Sequence, residues 1–135
     1  MQTTKVKAFT LTELLVVLVI IGILVLLSMP VLMPLISRTR SVEAKQALKH
    51  VHTLQKTFFY EHSRYSDNVA TIGFEQEKLV TDGEGGKANY LVEVINSGPT
   101  LFQARATAVV DFDGDGQLNV WEIDQSGTLL EVTPD

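Results

Sequence analysis

The sequence predicts an α+β fold: one long N-terminal helix, half transmembrane and half amphipathic, packed on a small antiparallel β-sheet. Three observations carry this. An apolar run from Leu14 to Ile36 is broken in polarity only by Ser28, and about 20 such residues cross a bilayer as a helix. Ala44, Ala47, Leu48, Val51, Leu54 and Phe58 then recur at intervals of three and four, one apolar stripe on an otherwise polar helix. Further on, Phe102, Ala104, Ala106, Ala108 and Val110 alternate with Gln103, Arg105 and Thr107, the period of a half-buried strand.

The 135 residues leave room for one small domain beside the apolar helix. A core of that size is marginally stable, and with no cysteine no disulfide reinforces it. A metal ion or neighbouring subunits are the remaining staples. Eleven Lys and Arg stand against sixteen Asp and Glu, a net charge of −5. Removing residues 1–8 takes away Lys5 and Lys7, leaving nine against sixteen, or −7. Nucleic acid is therefore not expected as a partner, because phosphate binding needs a basic face.

Residues 1–8 form a short polar leader ahead of the apolar segment 9–36, whereas a secretory signal carries its cleavage site after one. Lys5 and Lys7 flank one end of the apolar segment and Arg38 and Arg40 the other, so the positive-inside rule does not orient it. Glu13 stands at the start of the run, and a carboxylate among lipid tails costs several kcal/mol, roughly, unless it finds a partner or the interface. One reading is local: Thr10-x-x-Glu13 fits a capping box, with Thr10 as N-cap and Glu13 at the third helical position.

The other reading comes from a resemblance. Lys7-Ala8-Phe9-Thr10-Leu11-Thr12-Glu13, running into Leu14-Leu15-Val16-Val17, resembles the type IV prepilin signal of type IV pilins and type II secretion pseudopilins, where Gly-Phe-Thr-Leu-Ile-Glu is usual. The resemblance implies cleavage by a prepilin peptidase between Ala8 and Phe9, N-methylation of Phe9, and pairing of Glu13 with the Phe9 amine of a neighbouring subunit during assembly. Ala8 stands where that family nearly always has Gly. The resemblance further implies an N-terminus in the cytoplasm and a chain stored in the bacterial inner membrane. The head would lie in the periplasm until the subunits form a periplasmic or cell-surface filament.

Pro30 and Pro34 each remove an amide donor near the end of the apolar run. Packed or membrane helices absorb this as a kink; in the family reading, the segment from Gly22 to Pro34 unwinds on assembly. With the amphipathic segment 37–60, residues 9–60 would make one bent helix on the order of 75 Å long. His50 and His52 point to different faces and His62 lies at the helix end, so all three are read as surface residues and not ligands. No nucleophile and base stand at a recognisable spacing, and no enzyme is expected.

Residues 61–135 should form the head. Ser66-Asp67-Asn68, a turn at 71–74 and the Gly83–Gly86 cluster read as irregular connection, since no P-loop lysine follows the glycines. Strands follow at 90–95, ended by Asn96-Ser97-Gly98-Pro99, and at 102–110; 120–124 and 128–132 flank Gln125-Ser126-Gly127 as a hairpin.

Between the last two pairs of strands, residues 111–122 match the 12-residue calcium loop. Asp111, Asp113 and Asp115 stand at positions 1, 3 and 5, Gly116 at 6, Gln117 at 7 for a backbone carbonyl, Asn119 at 9 and Glu122 at 12. Calcium, a hard cation, takes six to eight oxygens, and alternate carboxylates around a glycine turn wrap one ion. Strands rather than helices flank this loop, so Glu122 is the ligand whose aim differs most from an EF-hand, and Asp124 is its alternative. The other reading is an acidic Asp-Gly turn that binds nothing. Major pseudopilins carry calcium in their C-terminal loops, on a different local sequence, so the resemblance implies an ion without naming its ligands.

The expected function is a structural subunit of a type II secretion pseudopilus. Its partners would be other copies of itself, sibling minor pseudopilins, the prepilin peptidase and the inner-membrane assembly platform. The alternatives are a type IV pilus subunit for adhesion or motility, and a membrane-anchored calcium-dependent binding module.

Overall fold

A computed structural model describes residues 5–135. Its elements are α1 (Leu11–His62), β1 (Tyr90–Ser97), β2 (Phe102–Ala108), β3 (Val120–Asp124) and β4 (Leu129–Thr133). The chain forms two units, one ending at Met33 and the other spanning Pro34–Asp135, with the boundary inside α1.

In the first unit α1 is helical through Gly22 and Pro30. Its most apolar window is wholly exposed, and among the described residues α1 is the one helix long and apolar enough to cross a membrane. Ser28 does not interrupt it, because its Oγ donates to the Leu24 carbonyl at 2.7 Å and so spends its polarity on the helix itself.

The second unit is built on the amphipathic stripe. Ala44, Leu48 and Val51 are fully buried, with Ala47, Leu54 and Phe58 packed at the margins. They meet Tyr90 and Val92 from β1, Phe102, Ala104, Ala106 and Ala108 from β2, and Ile123 from β3. Alanine fills three successive inward positions of β2, so the bulk of the core comes from the larger residues around them. Of these, Leu48, Phe102 and Ile123 each contribute about 1.5–3 kcal/mol through burial.

The sheet is an antiparallel meander in the order β1-β2-β3-β4. Strand β1 continues past its predicted end to Ser97. Val94 and Asn96 face the consecutive residues Ala104 and Gln103, so Ile95 is the extra residue of a bulge. The turn therefore starts later, closed by Gly98 N donating to the Leu101 carbonyl at 2.9 Å. Strand β4 begins one residue later than expected because Asp124 Oδ1 accepts from the amides of Ser126 and Thr128, holding both in the turn.

Two glutamines anchor the irregular segment between α1 and β1. Gln55, fully buried, donates Nε2 to the Ser66 carbonyl at 2.8 Å and accepts the Ser66 amide on Oε1 at 2.9 Å. Gln76 does the same for the free edge of β1, donating to the Tyr90 carbonyl and accepting from the Val92 amide. Each side-chain amide replaces a missing backbone partner. Of the histidines, His50 and His62 are exposed. His52 is not simply a surface residue: it is half-buried, with its ring near Phe102 and Nε2 3.2 Å from the Gln125 carbonyl.

Candidate functional site

In the first unit the chain from Lys5 to Thr10 is exposed and non-helical, with Phe9 82% exposed. Both residues of the Ala8–Phe9 bond are thus exposed. Helix α1 begins at Leu11 with a reciprocal cap: the Thr10 amide donates to Glu13 Oε2 at 2.8 Å, and the Glu13 amide donates to Thr10 Oγ1 at 3.3 Å. The Glu13 carboxylate is thereby folded back to the residue beside Phe9. Oε2 is the carboxylate oxygen used in this way.

In the second unit the loop after β2 is ordered by its own carboxylates. Asp111 accepts from Gly114 N at 2.6 Å and Gly116 N at 2.8 Å, Asp113 from Asp115 N at 3.0 Å, and Asp115 from Gln117 N at 2.7 Å. Gly114 and Gly116 have φ of 82° and 88°, values that side chains disfavour. The amides of Gly116 and Gly114 hold the Asp111 carboxyl below its ordinary range. Asp113 lies above its own: the Asp115 amide lowers it, but desolvation and the nearby Asp115 and Asp135 carboxylates outweigh that bond.

A fourth carboxylate joins the three. Asp135 accepts the amides of Phe112 and Asp113, both at 3.2 Å. Asp111, Asp113, Asp115 and Asp135 each offer an oxygen within 4.8 Å of the others. This all-oxygen set fits a hard divalent cation such as calcium.

Three of the expected ligands thus come together, and the others are placed differently. Gln117 stays in the loop, its Nε2 3.4 Å from Asp115 Oδ2. Asn119 is fully buried and faces the core, accepting from the Tyr90 hydroxyl and donating to Glu131 and the Thr133 carbonyl. Glu122 lies apart from the cluster. It pairs across the sheet with Arg105, accepting from Nε at 2.8 Å and Nη2 at 2.5 Å, and also accepts from Gln103 Nε2 at 2.6 Å. The reason is the strand: at about 3.3 Å per residue, β3 carries position 12 away along the sheet, where a helix would curl it back. Asp124, the alternative, is occupied with its turn, and the Ser126 hydroxyl holds its carboxyl low. Asp135 was missed because it is 24 residues beyond Asp111. The one available signal was the final hairpin, whose second strand returns the chain toward the loop.

The chain matches the model of the prokaryotic N-terminal methylation motif over residues 3–29. It is 44% identical over 72 residues to the type IV major pilin protein PilA of Myxococcus xanthus (strain DK1622), a match covering 53% of this chain and 33% of that protein. The chain thus spans about a third of the length of the curated relative it matches.

Proposed function

We propose that this type IV pilin-like protein, with its methylation motif, is the structural subunit of a helical filament. A prepilin peptidase cuts between Ala8 and Phe9 and methylates the new Phe9 amine. The apolar half of α1 holds the subunit in the bacterial inner membrane with the head in the periplasm, and the assembly platform draws it into the filament. The observation that carries this reading is the Glu13 carboxylate at the head of an apolar helix, capping Thr10 through one oxygen. In lipid the other oxygen is costly without a cation, and the Phe9 amine of an adjacent subunit supplies one. The 44% identity to a major pilin supports the same reading.

Two finer readings share this mechanism. The description of the relative favours a pilus subunit. The acidic loop in a cysteine-free head favours a type II secretion pseudopilus, with sibling minor pseudopilins as partners. In that loop we propose that Asp111, Asp113, Asp115 and Asp135 hold calcium, with oxygens from Gln117 or water completing the shell. The ion would fasten Asp135 to the loop after β2.

Intact mass and N-terminal fragmentation of the protein from its native membrane test the processing. A chain beginning at N-methylated Phe9 is expected, and one retaining Met1–Ala8 in growing cells would overturn the filament reading in favour of a tethered binding module. Glu13→Ala should abolish filaments while leaving the head folded; normal filaments from that variant would sink the assembly role. Deletion of the gene separates the finer readings: loss of surface filaments indicates a pilus, and loss of protein export a pseudopilus.

A further inference from the structure

Four cations of the second unit share one face of α1. Arg38, Lys45, Lys49 and Lys56 of α1 are separated by seven, four and seven residues. At 3.6 residues per turn all four fall within about 20° of one line, which runs about 27 Å along the helix. Lys45 Nζ lies 4.3 Å over the Trp121 ring and Lys56 Nζ donates to the Tyr65 hydroxyl at 3.2 Å, while Arg38 and Lys49 are exposed. Among the described residues the one ion pair made by a lysine or arginine is Arg105–Glu122, so the line has no acidic partner there.

Roughly 140° around the same helix, Glu43 lines a groove of ≈ 590 Å³ with Ala47, His50, Phe74, Glu75 and Glu77. Glu43 is fixed there by the Asn89 amide and Nδ2 at 2.7 and 2.8 Å. Glu75 and Glu77 are exposed, and no lysine or arginine lines the groove.

Resting on the filament reading, we infer that the acidic groove of one copy receives the Arg38–Lys56 line of a second copy. Charge complementarity selects this occupant. The processed chain carries a net charge of −7, so two copies repel on average, and this helix line is a cationic face through which they can approach. The two surfaces differ, so the contact is heterologous, the kind that generates an open helical array when its rotation does not close into a ring. Charge pairing of this kind fixes register and speeds encounter more than it adds affinity.

The absence of cysteine gives a clean test in full-length protein. Filaments carrying Lys49→Cys with Glu75→Cys, treated with a short bis-maleimide, should give a ladder of cross-linked oligomers, while either single variant gives none. Intact filaments without cross-links, or with dimers only, would overturn the inference. Arg38→Glu with Lys49→Glu should reduce filament yield by roughly tenfold, as should Glu75→Lys with Glu77→Lys, and co-expressing the two reversed chains should restore it. Reversals that alter only the binding of polyphosphate or of a divalent cation would assign the faces to those ligands and refute the contact. Absence of filaments from the wild-type chain strikes the filament reading instead, so the two failures are distinguishable.

Discussion

The Tyr90 hydroxyl donates a 2.8 Å hydrogen bond to Asn119 Oδ1 inside the core, joining β1 to the residue that precedes β3. Tyr90 is 1% exposed and Asn119 0%. The Asn119 amide continues to Glu131 Oε1 and the Thr133 carbonyl, both at 2.9 Å. One side chain thus ties the first and last strands of the sheet. Tyr90→Phe should destabilise the protein by about 1–3 kcal/mol, because the Asn119 oxygen is left buried without its donor. Urea denaturation of the detergent-solubilised chain measures this, and an unchanged midpoint would refute it.

The same pair predicts an alkaline limb. Burial, followed by the nearby Asp135 and Glu43 charges, pushes the Tyr90 hydroxyl above its ordinary value of 10.0. Above about pH 10 the unfolded chain releases this proton while the folded chain keeps it, so the unfolded state binds fewer protons and stability falls as pH rises. Thermal melts between roughly pH 9 and pH 11 should show a steeper decline for wild type than for Tyr90→Phe.

A calcium titration would separate the roles of Asp135 and Glu122. If the ion sits on Asp111, Asp113, Asp115 and Asp135, free calcium at about 100 times its Kd should stabilise the wild-type chain by roughly 2.7 kcal/mol. Asp135→Asn should remove most of that increment. Glu122→Gln should weaken the Arg105 pair and lower the melting temperature with and without calcium, while keeping the increment. The opposite pattern, with the increment lost in Glu122→Gln, would restore the twelfth-position ligand.

Gln55 closes the junction between α1 and the segment that follows. Gln55→Ala should cost about 2–4 kcal/mol, since it opens a cavity and leaves both backbone groups of Ser66 without partners. Hydrogen exchange at the Ser66 amide should accelerate with it. Protection unchanged from wild type would show that water takes the place of the glutamine.

Much of the architecture was legible because it follows from periodicity. Ala44, Leu48 and Val51 lie on one helical face and Phe102, Ala104, Ala106 and Ala108 on one strand face, and those positions form the core. The Thr10–Glu13 cap was legible for a related reason: both partners lie within one helical turn. In the acidic loop, the carboxylates of Asp111, Asp113 and Asp115 converge because local amides hold them. Spacing does not place Asn119, whose side chain turns into the core just before β3, or Glu122, which lies within β3 and answers to the sheet.

The amino-acid sequence by itself determined the anchor helix, its capped start, the apolar stripe and the alternating strands, since each depends on residues within a few positions of one another. The tertiary structure alone decided that Asp135 joins the aspartates, that Asn119 turns inward to Tyr90, that Glu122 answers Arg105, and that Gln55 holds Ser66. These pairings span 11 to 29 residues. They exist because a buried or crowded polar group must find a partner wherever the folded chain brings one within reach, and that address is written in the register of the sheet and the packing of the helix rather than in any local spacing.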